Sequence, residues 1–403
     1  MKARKILIFD DEKRRANEWA ANLRKVLGEK SAFTVEKPLD EQELVQAVEN
    51  LGQRRQGNQQ AKITWDNRFD QADIFIIDFA LLKMNRITYV TGESLAYLAR
   101  CYSRCGLIVA LNQFVGTDFD LTLKRHPDSF ADLNVNGKHI DDQGLWREPW
   151  KGTGFRPWAW SLLPKALVTF EGRVTELLEP IGNTKRGLDE PILSFLGLER
   201  IAEVLPRSTL EFIQTRKRRV TETTFRDFVL SSQQGLRPKE EPLDEESIAR
   251  IAAARIHKWL ERLVLPSQDI LVDAPHLVSR FPSLLKGNPV DRKVWDRAVT
   301  FDLPLKSVLR TDLIERFRFK RTNWVSRPCW FWGELSGYEK IAEVRNPWKT
   351  IEKADVVFCE DVSSFLPRKR AKEFVADVAS PFVRRYIKEV ANVDYQPRVR
   401  LAM

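Results

Sequence analysis

The sequence predicts an α/β chain: a doubly wound, parallel, five-stranded sheet first, then a separate mainly helical or α+β domain. Three observations carry this. Short unbroken apolar runs recur at 5–9 (KILIF), 72–77 (ADIFII) and 107–111 (LIVAL), as in parallel strands covered on both faces. Segments with apolar residues three and four apart alternate with them. Each run also stops at a short polar side chain, Asp10-Asp11, Asp78 or Asn112, at the strand end where ligands gather in such sheets.

Taken in order, the first strand is 5–9, and the helix after it is 17–27, where Trp19, Leu23, Val26 and Leu27 share a face. A second strand is predicted at 32–35. Asp40 caps the next helix, whose apolar face holds Leu44, Ala47, Val48 and Leu51. A polar stretch at 53–62 precedes the third strand. Residues 92–100 form a helix through Leu95 and Leu98, and 107–111 the fourth strand. Regularity fails between 115 and 164, where Trp146, Trp150, Trp158 and Trp160 sit among glycines, prolines and charges. That segment reads as a Trp-rich insertion, with a short fifth strand at 131–135. A helix at 166–178 closes the sheet, and 182–189 reads as a linker. The expected domains are therefore 1–182, with its insertion at about 115–164, and 191–403.

The second domain is less regular. A helix is predicted at 193–204. The clearest helix starts at Asp244, where Ile248, Ile251, Ala252, Ile256, Trp259, Leu260 and Leu263 repeat at three and four, and Pro266 prevents its continuation. Strands are predicted at 270–272 and 356–359, and helices at 370–378 and 382–390.

A chain of 403 residues with 43% hydrophobic and 30% charged residues has the composition of ordinary soluble domains, two or three in number. No apolar run has spanning length, and the run after the basic start ends in acids at once, unlike a signal peptide. The expectation is a cytoplasmic protein without a membrane segment. Cys101, Cys105, Cys329 and Cys359 lack zinc-ligand spacing and read as thiols. A net charge of +10 is small for this length and by itself identifies no partner.

The acids at the strand ends suggest phosphoryl chemistry. A carboxylate that accepts a phosphoryl group needs a divalent cation beside it, and Mg2+ takes hard oxygen ligands. The stretches Ile6-Leu7-Ile8-Phe9-Asp10-Asp11-Glu12, Phe75-Ile76-Ile77-Asp78-Phe79-Ala80-Leu81-Leu82, Gly92-Glu93-Ser94-Leu95 and Ile108-Val109-Ala110-Leu111-Asn112 match in order and spacing. The first 115 or so residues resemble the receiver domain of response regulators. The resemblance implies that Asp78 is the phosphoacceptor and that Asp10, Asp11, Asp78 and the backbone carbonyl of Ala80 hold Mg2+. It also implies a phosphohistidine donor on a histidine kinase or phosphotransfer protein, and homodimers are common among such domains. Receivers usually carry Thr or Ser where this chain has Asn112, and a Lys after the fifth strand, for which Lys138, Lys151 and Arg156 are the candidates.

Such a chain would be a response regulator, or an intermediate or phosphate sink in a phosphorelay, of which bacterial defence systems contain examples. Two alternatives stay open: a pseudo-receiver adaptor that binds a partner without phosphorylation, and a nucleic-acid-binding effector acting through the second half. Arg316, Arg318, Lys320 and Arg321, interleaved with Phe317 and Phe319 and followed by Trp324, are the candidate nucleic-acid contacts. A half-buried strand with one solvated face explains the same alternation. His276 after Asp273-Ala274-Pro275, and Glu360-Asp361 after 356–359, are strand-end positions with metal-ligating side chains. A turn and a helix start explain them equally well. Trp324, Trp330 and Trp332 read as core anchors or partner surfaces rather than as a cofactor site. The chain shows no phosphate-cradling glycine motif, nucleophile elbow or zinc-protease pair, and the second half suggests no reaction.

Overall fold

A computed structural model describes residues 3–29, 31–56, 64–81, 84, 90–112, 129–147, 154–158, 160–181, 185–215, 218–231, 243–265, 268, 270–288, 291–299, 305–338, 356–374, 385–391 and 393. The chain divides into two compact units, one of 1–115, 124–146 and 162–259, the other of 116–123, 147–161 and 260–403.

The first unit is built on strands β1 (Arg4–Phe9), β2 (Phe33–Val35), β3 (Ile74–Asp78), β4 (Leu107–Asn112) and β5 (Leu133–Asn136), all parallel, in the order β2-β1-β3-β4-β5. The predicted runs form the core: Ile6, Ile8, Ile74, Phe75, Ile76, Ile77, Ile108, Val109 and Leu111 are completely buried. Helices α1 (Lys13–Leu27), α2 (Glu41–Arg55) and α3 (Gly92–Tyr102) connect the strands. Helix α1 turns Ala16, Trp19, Ala20 and Leu23 inward. Asp40 caps α2 as expected, reciprocally with Glu43. Thr91 caps α3 in the same way with Ser94.

After β5 come α4 (Gln143–Trp146) and α5 (Leu163–Leu178), a two-stranded ribbon of β6 (Pro180–Ile181) and β7 (Lys185–Arg186), and the short helices α6 (Ile192–Leu196), α7 (Glu199–Ala202), α8 (Arg207–Glu211) and α9 (Phe225–Ser231). Then comes α10 (Glu245–Trp259), started by Asp244, which accepts from the Ser247 N–H at 2.8 Å. Helix α5 lies at the amino edge of the sheet. Its Glu171 pairs with Arg4 at 2.6 Å, and Leu167 reaches the backbone of Gly106, just before β4. Helix α10 packs against α5 and α3. There Arg250 donates to the carbonyls of Arg104, at 2.8 Å, and Cys105. Lys258 donates to those of Ser129, at 2.7 Å, and Ala131.

These contacts move the division of the chain. The first unit runs past the expected linker at 182–189 and takes in 191–259, because α9 and α10 bury their apolar and cationic residues against it. The expected insertion at 115–164 is shared: its described residues 129–146 and 162–164 belong to the first unit, and 147, 154–158, 160 and 161 to the second.

The second unit mixes short strands and helices. Strand β8 (Leu271–Asp273) pairs antiparallel with β9 (Cys329–Phe331). Strand β10 (Val356–Cys359) pairs antiparallel with β11 (Ser364–Pro367) and parallel with β13 (Arg385–Ile387), which pairs with β12 (Lys372–Phe374). Thus 372–374 and 385–387, inside the two helices predicted from apolar spacing, are strands. Their backbones complete the sheet beside β10, a long-range requirement that local periodicity does not encode. Trp295, Trp324 and Trp330 are completely buried, as core anchors should be, while Trp332 packs partly buried against the core. All four cysteines are buried without disulfides. Among the described residues no helix is long and apolar enough to cross a membrane.

Candidate metal centre at the carboxyl edge of the sheet

Strand register creates the site. Phe9 pairs with Ile77, so the next residues, Asp10 and Asp78, leave the sheet at one level. Asp78 in turn pairs with Leu111, which puts Asn112 one residue further along β4. Carboxylate oxygens of Asp10, Asp11 and Asp78 lie within 4.8 Å of one another, the one such group of metal-ligating side chains among the described residues. Asp10 and Asp78 are buried and Asp11 is half-buried. Hard oxygen ligands open to solvent on one side fit a hydrated divalent cation.

Several local features hold this edge in place. The Glu12 N–H donates to Asp10 Oδ1 at 2.7 Å. Phe79 donates its N–H to the Leu111 carbonyl at 2.8 Å, and the Gly92 N–H donates to the Phe79 carbonyl at 3.0 Å. Gly92 sits so close to the turn that a Cβ there would lie 2.2 Å from the Asp78 carbonyl oxygen and 2.7 Å from Phe79 Cα. Only glycine admits that approach. Ala80, half-buried, follows in the turn after Asp78.

The electrostatics are those of crowded acids. Burial is the main force raising the Asp10 carboxyl to about 7; the Glu12 N–H opposes it, and the Asp78 charge adds to it. Arg15 pulls the other way, with Nη1 3.6 Å from Asp10 Oδ2, but its Nη2 is closer to Glu12, at 2.8 Å. Arg15 is a participant that the sequence reading missed. Its signal is its place in the first turn of α1, three residues after Glu12.

The remaining candidates fall in different places. Asn112 ends β4, in register with Asn136. Lys138, exposed, lies just beyond β5 in the short turn Gly137–His139, at the same edge of the sheet. Lys151 lies outside the described residues. Arg156 is buried in the second unit, where it donates to Ser363 Oγ at 3.3 Å and its N–H donates to the Asp361 carbonyl at 2.9 Å.

The basic run of the second unit is engaged within that unit. The Arg316 guanidinium stacks 3.8 Å from the Tyr338 ring centroid, Arg318 pairs with Glu315 at 3.3 Å, and Lys320 Nζ donates to the Glu315 carbonyl at 3.2 Å. Arg321 is half-buried. Phe317 lies in a 3-10 turn rather than a strand, and Phe319 is almost fully buried. Comparison of the chain with protein-family models, with curated proteins and with solved structures finds no match.

Proposed function

We propose that the first unit is a receiver-like phosphoacceptor domain, with Asp78 as the acceptor and Asp10, Asp11, Asp78 and the Ala80 carbonyl as the Mg2+ ligands. The observation that carries the reading is the convergence of three carboxylates from two adjacent parallel strands at one sheet edge. The strand order β2-β1-β3-β4-β5 supports it, being that of flavodoxin-like sheets, which bind ligands at this edge.

An Asp78 oxygen attacks the phosphorus of a phosphohistidine on a kinase or phosphotransfer partner. The P–N bond breaks, and the leaving imidazole nitrogen keeps the electron pair. Bound Mg2+ supplies positive charge to the transferring phosphoryl oxygens. Lys138 and Asn112, at the ends of the two neighbouring strands, are the residues to contact the phosphoryl group. Lys138 does so as a mobile point charge.

Calorimetric titration with beryllium fluoride in the presence of Mg2+ tests the proposal. Saturable binding to the wild type that disappears in Asp78→Asn is expected. Equal binding by the variant refutes the acceptor role, and no binding by the wild type leaves an adaptor that works without phosphorylation.

A further inference from the structure

Two motifs far apart in the sequence, Asp273-Ala274-Pro275-His276 and Glu360-Asp361, meet inside the second unit. Asp273 ends β8 and caps α11 (Ala274–Arg280), accepting from the His276 N–H at 3.3 Å. One turn on, the imidazole folds back so that Nδ1 lies 2.7 Å from Asp273 Oδ1. The other ring nitrogen, Nε2, lies 3.2 Å from Glu360 Oε1, just past the end of β10. Glu360 is fixed by its backbone, whose N–H donates to the Tyr386 carbonyl at 2.9 Å and whose carbonyl accepts from the Trp158 N–H at 2.5 Å. Trp158 and Phe358 hold the ring edge-on at 5.2 and 5.5 Å. The His276 side chain keeps 23% exposure, whereas Asp273 and Glu360 keep 5% and 1%.

The chemistry follows from the tautomer. A carboxylate at Nδ1 favours the proton there, which aims the Nε2 lone pair at a second carboxylate. Lone pair and anion at this distance repel unless a positive charge lies between them. That charge is either a second proton or a metal ion. Two ligand atoms about 2.0–2.1 Å from one tetrahedral zinc ion are about 3.3 Å apart, which is the spacing found here. A carboxylate on the far ring nitrogen is also the usual support for a metal-bound histidine. Arg327, whose guanidinium lies 4.1 Å from the Trp158 ring centroid, is a fixed cation acting on Asp273 and Glu360, so a metal ion here competes with it as well as with a proton.

We propose that His276 Nε2 and Glu360 are the protein ligands of a zinc-class divalent metal site, with Asp273 as the positioning carboxylate and water or substrate completing the coordination. This site is separate from the all-oxygen cluster of the first unit and does not rest on the receiver reading.

Equilibrium dialysis of the full chain against Zn2+ with excess Mg2+, followed by metal analysis, tests it, since Mg2+ competes for the oxygen-only cluster. The wild type should retain one equivalent of Zn2+ that His276→Gln and Glu360→Gln lose. Asp273→Asn should weaken Zn2+ affinity about tenfold to a hundredfold. Retention of the same Zn2+ by His276→Gln overturns the proposal, as does its absence from the wild type, which makes a proton the bridge. If His276→Gln fails to fold, pulsed electron paramagnetic resonance of the wild type with Mn2+ and excess Mg2+ decides. Imidazole nitrogen coupling is expected, and a spectrum without it overturns the assignment.

Discussion

Replacing Asp10 by Asn should remove most of the pH dependence of stability that the acidic cluster imposes. The Asp10 carboxyl stands at about 7 in the folded unit against 3.8 ordinarily, so the folded form holds a proton that the unfolded chain has released. A raised acid stabilises the fold only while it is protonated, and that contribution is lost as pH climbs from 3.8 through 7. Between about pH 5 and about pH 8 the loss is about 3 kcal/mol, since a proton held by one state and not the other is worth about 1.4 kcal/mol for each step of one in pH. Chelated wild-type protein should therefore lose stability over this window, read as urea midpoints of a probe in the first unit. Asp10→Asn should flatten the curve. Mg2+ at about pH 8 should restore the wild type but not the variant, because a divalent cation replaces the missing proton. Parallel curves for wild type and variant would refute the reasoning, because burial and the Asp78 charge would then not be acting on Asp10.

Gly92→Ala should destabilise the first unit by about 1–3 kcal/mol, since its Cβ meets the Asp78 carbonyl oxygen at 2.2 Å. The same variant should weaken Mg2+ binding measured by calorimetry, and unchanged stability would show that the turn has room. Arg54→Met should cost about 3–5 kcal/mol in urea unfolding, because it leaves Asp70 buried without its bidentate partner, now at 3.0 and 2.8 Å. In the second unit His276 is lowered by burial but raised further by Asp273 and Glu360, to about 9 from 6.5. Its contribution is complete below about 6.5 and is lost as pH rises through 9, on the order of 3 kcal/mol in all. Chelated His276→Gln should lack this alkaline loss when unfolding is followed by a probe in the second unit.

The parts of the fold legible in the sequence are those fixed by short-range patterns. Ile6, Ile76 and Val109 lie in unbroken apolar runs that only a strand covered on both faces can bury, and Asp40 announces its helix by a cap. Acids directly after the first and second such runs suffice to place Asp10 and Asp78 together, because parallel register does the rest. Periodicity shows a helix at 166–178 and another starting at Asp244 but not where they dock. Arg250 and Lys258 stand outside the apolar repeat of their helix, yet they are buried on backbone carbonyls. Hence the first unit extends to 259 rather than ending at 182. His276 and Glu360 each stand out singly in the sequence, but their contact spans 84 residues and depends on two sheets whose partners are remote.

Charge placement in the first unit suits a cation at its cluster of acids. Arg250 and Lys258 lie on the sequences just before β4 and β5, at the amino edge, while Asp10, Asp11 and Asp78 lie at the carboxyl edge. Arg15 reaches the acids but divides its guanidinium between Asp10 at 3.6 Å and Glu12 at 2.8 Å. Burial, with the Asp78 charge adding to it, raises the Asp10 carboxyl to about 7 in spite of the Glu12 N–H and Arg15. Burying like charges is costly when no counter-charge accompanies them. The alignment of Phe9 with Ile77, and a glycine at 92 that closes the turn, bring these acids to one edge, where hard oxygen ligands could hold a divalent ion.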